Sequence, residues 1–221
     1  MNKKILITSG DVDGIGLEVT LKALLKLGPQ KDIQFIYYQS NSSKDLLSKK
    51  LKKLFKPSQV SSLKEALSIT DKNLIEISSL QSPALWVEEA SKACLKGHAD
   101  ALVTGPLSKE TIKAAGLKDI GHTGIFKRIT KTKDLYMGFF GKEFNVALVT
   151  DHVPLKSISK DLSAQKIFTV LKLMKQALGV SNTNKIGILG LNPHSGENGI
   201  IGNEEMLIFK DLTKLAKDIP F

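Results

Sequence analysis

The sequence predicts an α/β fold: a mostly parallel sheet flanked by helices, with an antiparallel hairpin in its second half. Three observations lead there. Short β-branched or apolar runs, "KILIT", "IQFIYY", "NLIEIS" and "DALVT", alternate with stretches of helical period. "LYMGFF" and "EFNVALVT" flank Gly141-Lys142, the pattern of two strands joined by a tight turn. The 221 residues, 42 % hydrophobic and 24 % charged, suffice for one sizeable domain or two small ones with a real core.

In chain order, "KILIT" is a first strand, followed by a glycine turn and a helix over Leu17 to Leu27. "IQFIYY" is the second strand. A lysine-rich helix follows in "DLLSKKLKKLFKP", with Leu47, Leu51, Leu54 and Phe55 on one face and lysines on the other. "NLIEIS" precedes a helix near Trp86 to Lys96, whose apolar face is Trp86, Ala90, Ala93 and Leu95. "DALVT" is a buried-type strand ending at Gly105-Pro106, after which Ser108 caps a helix carrying Ile112 and Ala115. Beyond the hairpin, Ser163 to Leu178 is amphipathic, with Ile167, Val170, Leu171 and Met174 at helical spacing. "KIGILG" reads as a further strand, and Asn203 as the cap of a last helix from Glu204 to about Lys217. There are no repeats, low-complexity tracts or obvious linkers.

Composition narrows the function classes. The net charge of +10 suggests a nucleic-acid partner, but Arg128 is the single arginine among 32 basic residues, and aromatic residues make up 6 %. Recognition of phosphates and guanines favours arginine, so a general lysine bias is the simpler account and no nucleic-acid partner is expected. The lysine-rich helix reads as a solvated face over a core stripe in preference to a membrane-surface helix. One cysteine, Cys94, in a helical setting, excludes an internal disulfide framework and fits a reducing compartment. No run reaches the length of a membrane span, and the amino terminus lacks a signal-peptide core. A cytoplasmic protein without membrane association is expected.

Parallel sheets bind ligands beyond the carboxyl ends of their strands. There the sequence keeps its unusual residues: "TSGDVDGIG", "TGPLSK", "TDHVPL" and "NPHSGE". "GDVDGIG" lacks the spacing of a dinucleotide fingerprint and the ending of a P-loop; it is either an anion-binding helix start or a tight βα turn. His98 lies before its strand, at the opposite end, in a surface or capping role. His122 in "DIGHTGIF" reads alone as a turn histidine, while Thr123 beside it makes a donor–acceptor pair suited to a phosphate or carboxylate. His152 in "VTDHVPL" and His194 in "LNPHSGE" each follow an apolar run and neighbour a group, Asp151 or Asn192, able to orient an imidazole. They are either two metal ligands, where a catalytic site uses three, or buried hydrogen-bonding histidines.

With these loops assembled, the sequence resembles the 4-hydroxythreonine-4-phosphate dehydrogenase family of pyridoxal phosphate biosynthesis. "ITSGDVDGIGLE", "ADALVTGPLSKE", "GHTGIF", "VALVTDHVPL" and "ILGLNPHSGENGIIGNEE" carry the resemblance, in the family's order and over nearly the whole chain. It implies an isocitrate/isopropylmalate-dehydrogenase-like fold, a homodimer with its site at the interface, and two cofactors, NAD and a divalent metal (zinc, magnesium or cobalt). The implied reaction oxidises the secondary hydroxyl of 4-phosphohydroxy-L-threonine; the β-keto acid then loses CO₂ to give 3-amino-2-oxopropyl phosphate. His122 and Thr123 match the family's substrate-binding pair, and His152 and His194 match two of its three metal-binding histidines. The NAD contacts and the residues of the chemical step carry no assignment.

Departures from the family pattern are Ser9 and Leu17 where proline is common, Val12 inside the first loop, and Gly124 where glutamate commonly follows Gly-His-Thr. Residues 1–221 are expected to form the family's α/β region with an internal boundary near 120–150 and without the C-terminal third, which carries the third metal histidine. Two alternatives accompany this reading: a relative acting on another phosphorylated hydroxy acid, and a non-catalytic remnant of the fold.

Overall fold

The computed structural model describes residues 3–40, 46–179 and 185–221. The chain forms two compact units, Met1–Lys133 and Asp134–Phe221. The first is built on a parallel sheet of β1 (Lys3–Thr8), β2 (Ile33–Gln39), β3 (Ser58–Val60), β4 (Leu74–Ser78) and β5 (Ala101–Thr104), in the order β3-β4-β2-β1-β5. Six of the seven residues of β2 are buried, as a strand covered on both faces requires. Its alternation assigns them to opposite layers. Phe35 and Tyr37 join Ile7 and Leu74 beneath α1 (Gly16–Leu27) and α2 (Leu46–Phe55), whereas Ile36 and Tyr38 join Leu6, Ile75 and Ile77 on the other side.

That second side is covered by α3 (Leu63–Ser68) and α4 (Pro83–Leu95). Trp86, fully buried, stacks on Tyr38 at a ring separation of 5.9 Å. Burying a side chain of this size contributes roughly 1.5–3 kcal/mol. Ser82 begins α4 by accepting from Ala84 N, and Pro83 occupies the first turn, where its missing N–H costs nothing. α5 (Lys109–Ala114) is capped by Ser108 as expected, its Oγ accepting from Thr111 N at 3.1 Å. α6 (His122–Thr130) packs Ile125 against Ala84, Val87 and Ile112.

Three details differ from the sequence reading in this unit. β3 and α3 lie in a stretch to which the sequence assigned nothing, because three- and six-residue elements are too short for a period to show. Leu54 and Leu95 are exposed, since each falls one position off the stripe that faces the sheet. The stretch holding His122 is a helix start and not a turn. Cys94 is half-buried and free, and burial pushes its thiol up, with Asp100 adding to the shift.

In the second unit β6 (Gly138–Phe140) and β7 (Asn145–Ala147) pair antiparallel. The loop between them has four residues, not two, and Gly141 N donates to Asn145 Oδ1 at 3.2 Å. A 3₁₀ turn over Leu155–Ser157 leads into α7 (Ile158–Asp161), then α8 (Ala164–Leu178), capped by Ser163 accepting from Lys166 N. α9 (Glu204–Leu215) closes the unit. Its core is Ile167, Leu171, Leu212, Ala216 and Ile219.

Two expectations fail here. "KIGILG" is not a strand: Ile186 and Ile188 reach the core while Leu189 is exposed, so the alternation is real, but among the described residues no strand pairs with it. Ile186 N donates to the Pro220 carbonyl at 3.1 Å. Asn203 occupies the cap position of α9 without a capping bond. Among the described residues no helix is long and apolar enough to cross a membrane.

Candidate functional site

Between β1 and β5 the order of connection reverses, because the chain leaves β1 toward β2 on one side and returns to β5 on the other. In open parallel sheets such a reversal opens a crevice beyond the strand ends. Residues 9–15 and 105–108 meet there. Asp11 N donates to the Pro106 carbonyl at 2.9 Å, Gly105 N to the Thr8 carbonyl at 2.6 Å, and Ser108 N to Asp11 Oδ2 at 2.8 Å. The approach is close enough to require glycine. Gly10 has φ +81°, and a Cβ on it would overlap the Pro106 carbonyl oxygen. A Cβ on Gly16 would overlap the Ser9 carbonyl oxygen. These glycines therefore serve a tight βα turn that locks two loops together.

His122 opens α6 behind Gly121, which provides no side-chain cap to the first amides of the helix. Its ring is half-buried, and Nε2 is buried without a partner among the described residues. Burial pulls the imidazole below its ordinary range, against the Gly105 hydrogen bond and the Asp11 charge, which act the other way. Asp11 Oδ1 and Thr8 Oγ1 are likewise buried and unpartnered among the described residues. Thr123 is exposed at the helix start. Sequence reasoning passed over Asp11; its signal is an acidic residue between glycines directly after a strand, a pattern too common to single out alone.

His98, also in the first unit, is exposed beside Lys96 and Asp100, and its backbone N–H closes the end of α4 on the Ala93 carbonyl at 3.0 Å.

In the second unit His152 lies beyond the end of β7, with φ +52° and its ring 91 % exposed. Asp151 Oδ1 stands 3.6 Å from its Nε2, near but outside hydrogen-bond range. His194 is exposed within residues 193–199, where His194, Ser195, Gly196, Glu197 and Asn198 all have positive φ. Its loop follows no strand, so of the four polar loops the sequence placed at strand ends, the two in the first unit directly follow a strand of the sheet. Neither ring is a buried hydrogen-bonding histidine.

Asn192 does not orient His194 through its amide nitrogen. Its backbone N–H donates to Glu205 Oε1 at 2.6 Å, and its Nδ2 donates to Glu205 Oε2 at 2.8 Å and Glu204 Oε2 at 2.9 Å. These bonds hold the buried Glu205 carboxyl below the usual carboxylate range, the backbone N–H contributing most. The loop is thereby pinned to the first turn of α9. Among the described residues no group of three or more His, Cys, Asp or Glu stands together to hold a metal ion. His152 and His194 offer accessible imidazole donors, but the described residues do not complete a metal centre.

The profile of the family described as pyridoxal phosphate biosynthetic protein PdxA matches residues 20–219. The chain is 35 % identical over 237 residues to a 4-hydroxythreonine-4-phosphate dehydrogenase of Sulfurihydrogenibium sp. (strain YO3AOP1), covering 97 % of this chain and 71 % of that protein. The protein of that name from Sulfurimonas denitrificans is 31 % identical over 228 residues, covering 99 % and 69 %. A crystal structure of 4-hydroxythreonine-4-phosphate dehydrogenase from Klebsiella pneumoniae aligns with a TM-score of 0.75 at 24 % identity, covering 99 % of this chain and 72 % of the other. At that identity the likeness speaks for the fold.

Proposed function

The chain belongs to the PdxA family of pyridoxal phosphate biosynthetic proteins, and from that membership we propose that it acts in vitamin B6 synthesis as an NAD-dependent dehydrogenase of 4-phosphohydroxy-L-threonine. The carbon bearing the secondary hydroxyl would give up a hydride, for which NAD would be the acceptor, and the hydroxyl oxygen its proton. The β-keto acid so formed releases CO₂, leaving 3-amino-2-oxopropyl phosphate. The observation that carries this reading is the family match over residues 20–219, with a relative of that name 35 % identical over 97 % of the chain.

Within this reading Thr123, with the open amides at the start of α6, takes the phosphate end of the substrate, and His122 lies against its body. His152 and His194 are two ligands of a divalent cation (zinc, magnesium or cobalt), which when bound supplies Lewis-acid stabilisation of developing oxyanions. The assembly that goes with it is a cytoplasmic homodimer.

The test is NADH formation by the purified chain with 4-phosphohydroxy-L-threonine, with and without added divalent metal, beside His194→Ala. Metal-dependent turnover that the substitution abolishes is expected. A folded chain that forms no NADH with magnesium, zinc or cobalt overturns the reading in favour of a non-catalytic relative.

One observation favours a second substrate. A Cβ on Gly124 would stand 3.1 Å from the Asp119 Cβ, so the glutamate common at this position has little room beside the proposed substrate pair. Oxidation of a different phosphorylated hydroxy acid fits that change. Competition between 4-phosphohydroxy-L-threonine and analogues altered at the amino or carboxyl group separates the two.

A further inference from the structure

We propose that a cavity at the amino ends of β1 and β2 binds an organic polyphosphate, an apolar body joined to two or more phosphate charges. The cavity belongs wholly to the first unit and lies at the other end of the strands from residues 9–15 and 105–108. The inference is therefore independent of the dehydrogenase reading.

The cavity holds about 1040 Å³, at the upper end of the ~300–1,000 Å³ that small-molecule sites occupy. Lys3 and Lys4 enter it from the start of β1, and Gln34 from the start of β2. Leu63 and Leu67 of α3 and Ala93 of α4 give it apolar walls.

The acceptors around it are engaged by the protein's own donors. Lys4 Nζ donates to the Leu67 carbonyl at 2.8 Å, and Lys4 N to Asp100 Oδ2 at 2.7 Å. Tyr38 Oη donates to Glu89 Oε2 at 2.8 Å. The end of α4 is closed by the backbone N–H groups of Lys96, Gly97 and His98, which donate to the Lys92, Cys94 and Ala93 carbonyls. Gln34 Oε1 has no partner among the described residues, but it is buried. The donors are different: the ammonium groups of Lys3, Lys64 and Lys96 have no hydrogen bond or ion pair among the described residues. Five lysines line the cavity against two carboxylates, Glu89 and Asp100. A hollow with apolar walls and an excess of cationic donors attracts an anion that also has an apolar part.

The number of open ammonium groups selects the anion. A single carboxylate brings one charge, too little for three separate lysines, whereas a diphosphate brings several charges and oxygens on two centres. A nucleic-acid strand is disfavoured because no Phe, Tyr or Trp lines the cavity to stack its bases.

The experiment is calorimetric titration of the full chain with ADP, pyrophosphate and adenosine. Wild type is compared with the pair Lys64→Glu and Lys96→Glu, and with the pair Lys52→Glu and Lys53→Glu. The second pair makes the same change of charge on α2, which covers the other face of the sheet. All four lysines are exposed, so both pairs are expected to fold. Wild type should bind ADP at least about tenfold more tightly than pyrophosphate or adenosine, since both the apolar and the anionic part are needed. The first pair should weaken ADP by about tenfold or more, and the second should leave it within about threefold. Absence of ADP binding by wild type overturns the inference. So does an unchanged affinity in the first pair, or an equal loss in the second, which marks general charge attraction. Pyrophosphate held as tightly as ADP overturns it as well, because the apolar walls then contribute nothing. Should the first pair not fold, Lys64→Gln with Lys96→Gln carries the same comparison. NADH formation reads the dehydrogenase reading separately and is not moved by any of these outcomes.

Discussion

Replacing Glu205 by glutamine tests whether one buried carboxylate holds the loop that carries His194. Glu205 is 6 % exposed and accepts two hydrogen bonds from Asn192, at 2.6 and 2.8 Å. Hydrogen bonds to a charged group are worth about 1.5–3 kcal/mol each and neutral ones about 0.5–1.5 kcal/mol. Glutamine keeps one oxygen for one of the donors, at neutral strength, and turns an NH₂ toward the other. The net loss is about 2–3 kcal/mol, or about 4–12 °C in Tm for a chain of this size. Glu204→Gln is the control: Glu204 shares a single donor with Glu205, so its loss costs under about 1 kcal/mol. The readouts are thermal unfolding and amide exchange at Asn192. Acid supplies a second arm. The Glu205 carboxyl is held below the usual range, so its contribution is fully present above the ordinary carboxylate value and is lost as pH falls through the lowered folded value. Wild type and Glu205→Gln therefore converge in acid. A variant within about 0.5 kcal/mol of wild type at neutral pH, or a gap that acid does not close, shows that this carboxylate does not hold the loop.

Gly10→Ala forces a Cβ into the Pro106 carbonyl at positive φ and is expected to cost more than about 1 kcal/mol, seen as a lowered urea midpoint. Arg128 reaches Asp119 and Glu88, both at 2.9 Å, but its side chain is 43 % exposed, so Arg128→Ala should cost no more than about 1 kcal/mol, and less in high salt. Burial lowers the His122 pKa, so between that lowered value and the ordinary one near ~6.5 the unfolded chain binds more protons and stability falls with acid. His122→Asn should flatten this slope in denaturation curves taken across the window. At position 194, with φ +51°, glycine relieves a left-handed cost of about 1–2 kcal/mol and returns about 0.5–1 kcal/mol as unfolded-state entropy. His194→Gly should therefore be at least as stable as His194→Ala in thermal unfolding, with zinc binding weakened equally in both.

The parallel sheet was legible because its strands are continuous apolar runs between glycine turns, and β1, β2, β4 and β5 all appear where those runs lie. Strand order was not. The reversal between β1 and β5 depends on which edge of β1 the returning chain joins, and that is decided by packing on both faces of the sheet, with no mark in the sequence of β5. For the same reason Asp11 was missed: its partner Ser108 is distant in sequence and becomes a neighbour through the sheet. "KIGILG" misled because alternating burial is a property of an extended segment, whereas a strand also needs a ladder partner, here absent among the described residues. "NPHSGENG" was recognisable as special by its composition. Its run of left-handed residues was not, since His194, Ser195, Glu197 and Asn198 rarely adopt that conformation unaided.

That run bears on what the histidines are for. Left-handed backbone costs an L-residue about 1–2 kcal/mol, and it persists where the surroundings over-determine it. The surroundings are visible: Asn192 bound to Glu204 and Glu205 on one side, Ile200 N to Glu197 O and Ile201 N to Gly196 O on the other. His152 has the same conformation, whereas His98 and His122 do not. Both strained imidazoles are exposed, so neither offsets its backbone cost by filling the core. What imidazole adds at these two exposed positions is a nitrogen donor, which the proposed metal ligation would use. The left-handed backbone is shared by Ser195, Glu197 and Asn198, so it belongs to the loop and not to imidazole; the comparison of His194→Gly with His194→Ala asks whether stability and metal affinity move apart.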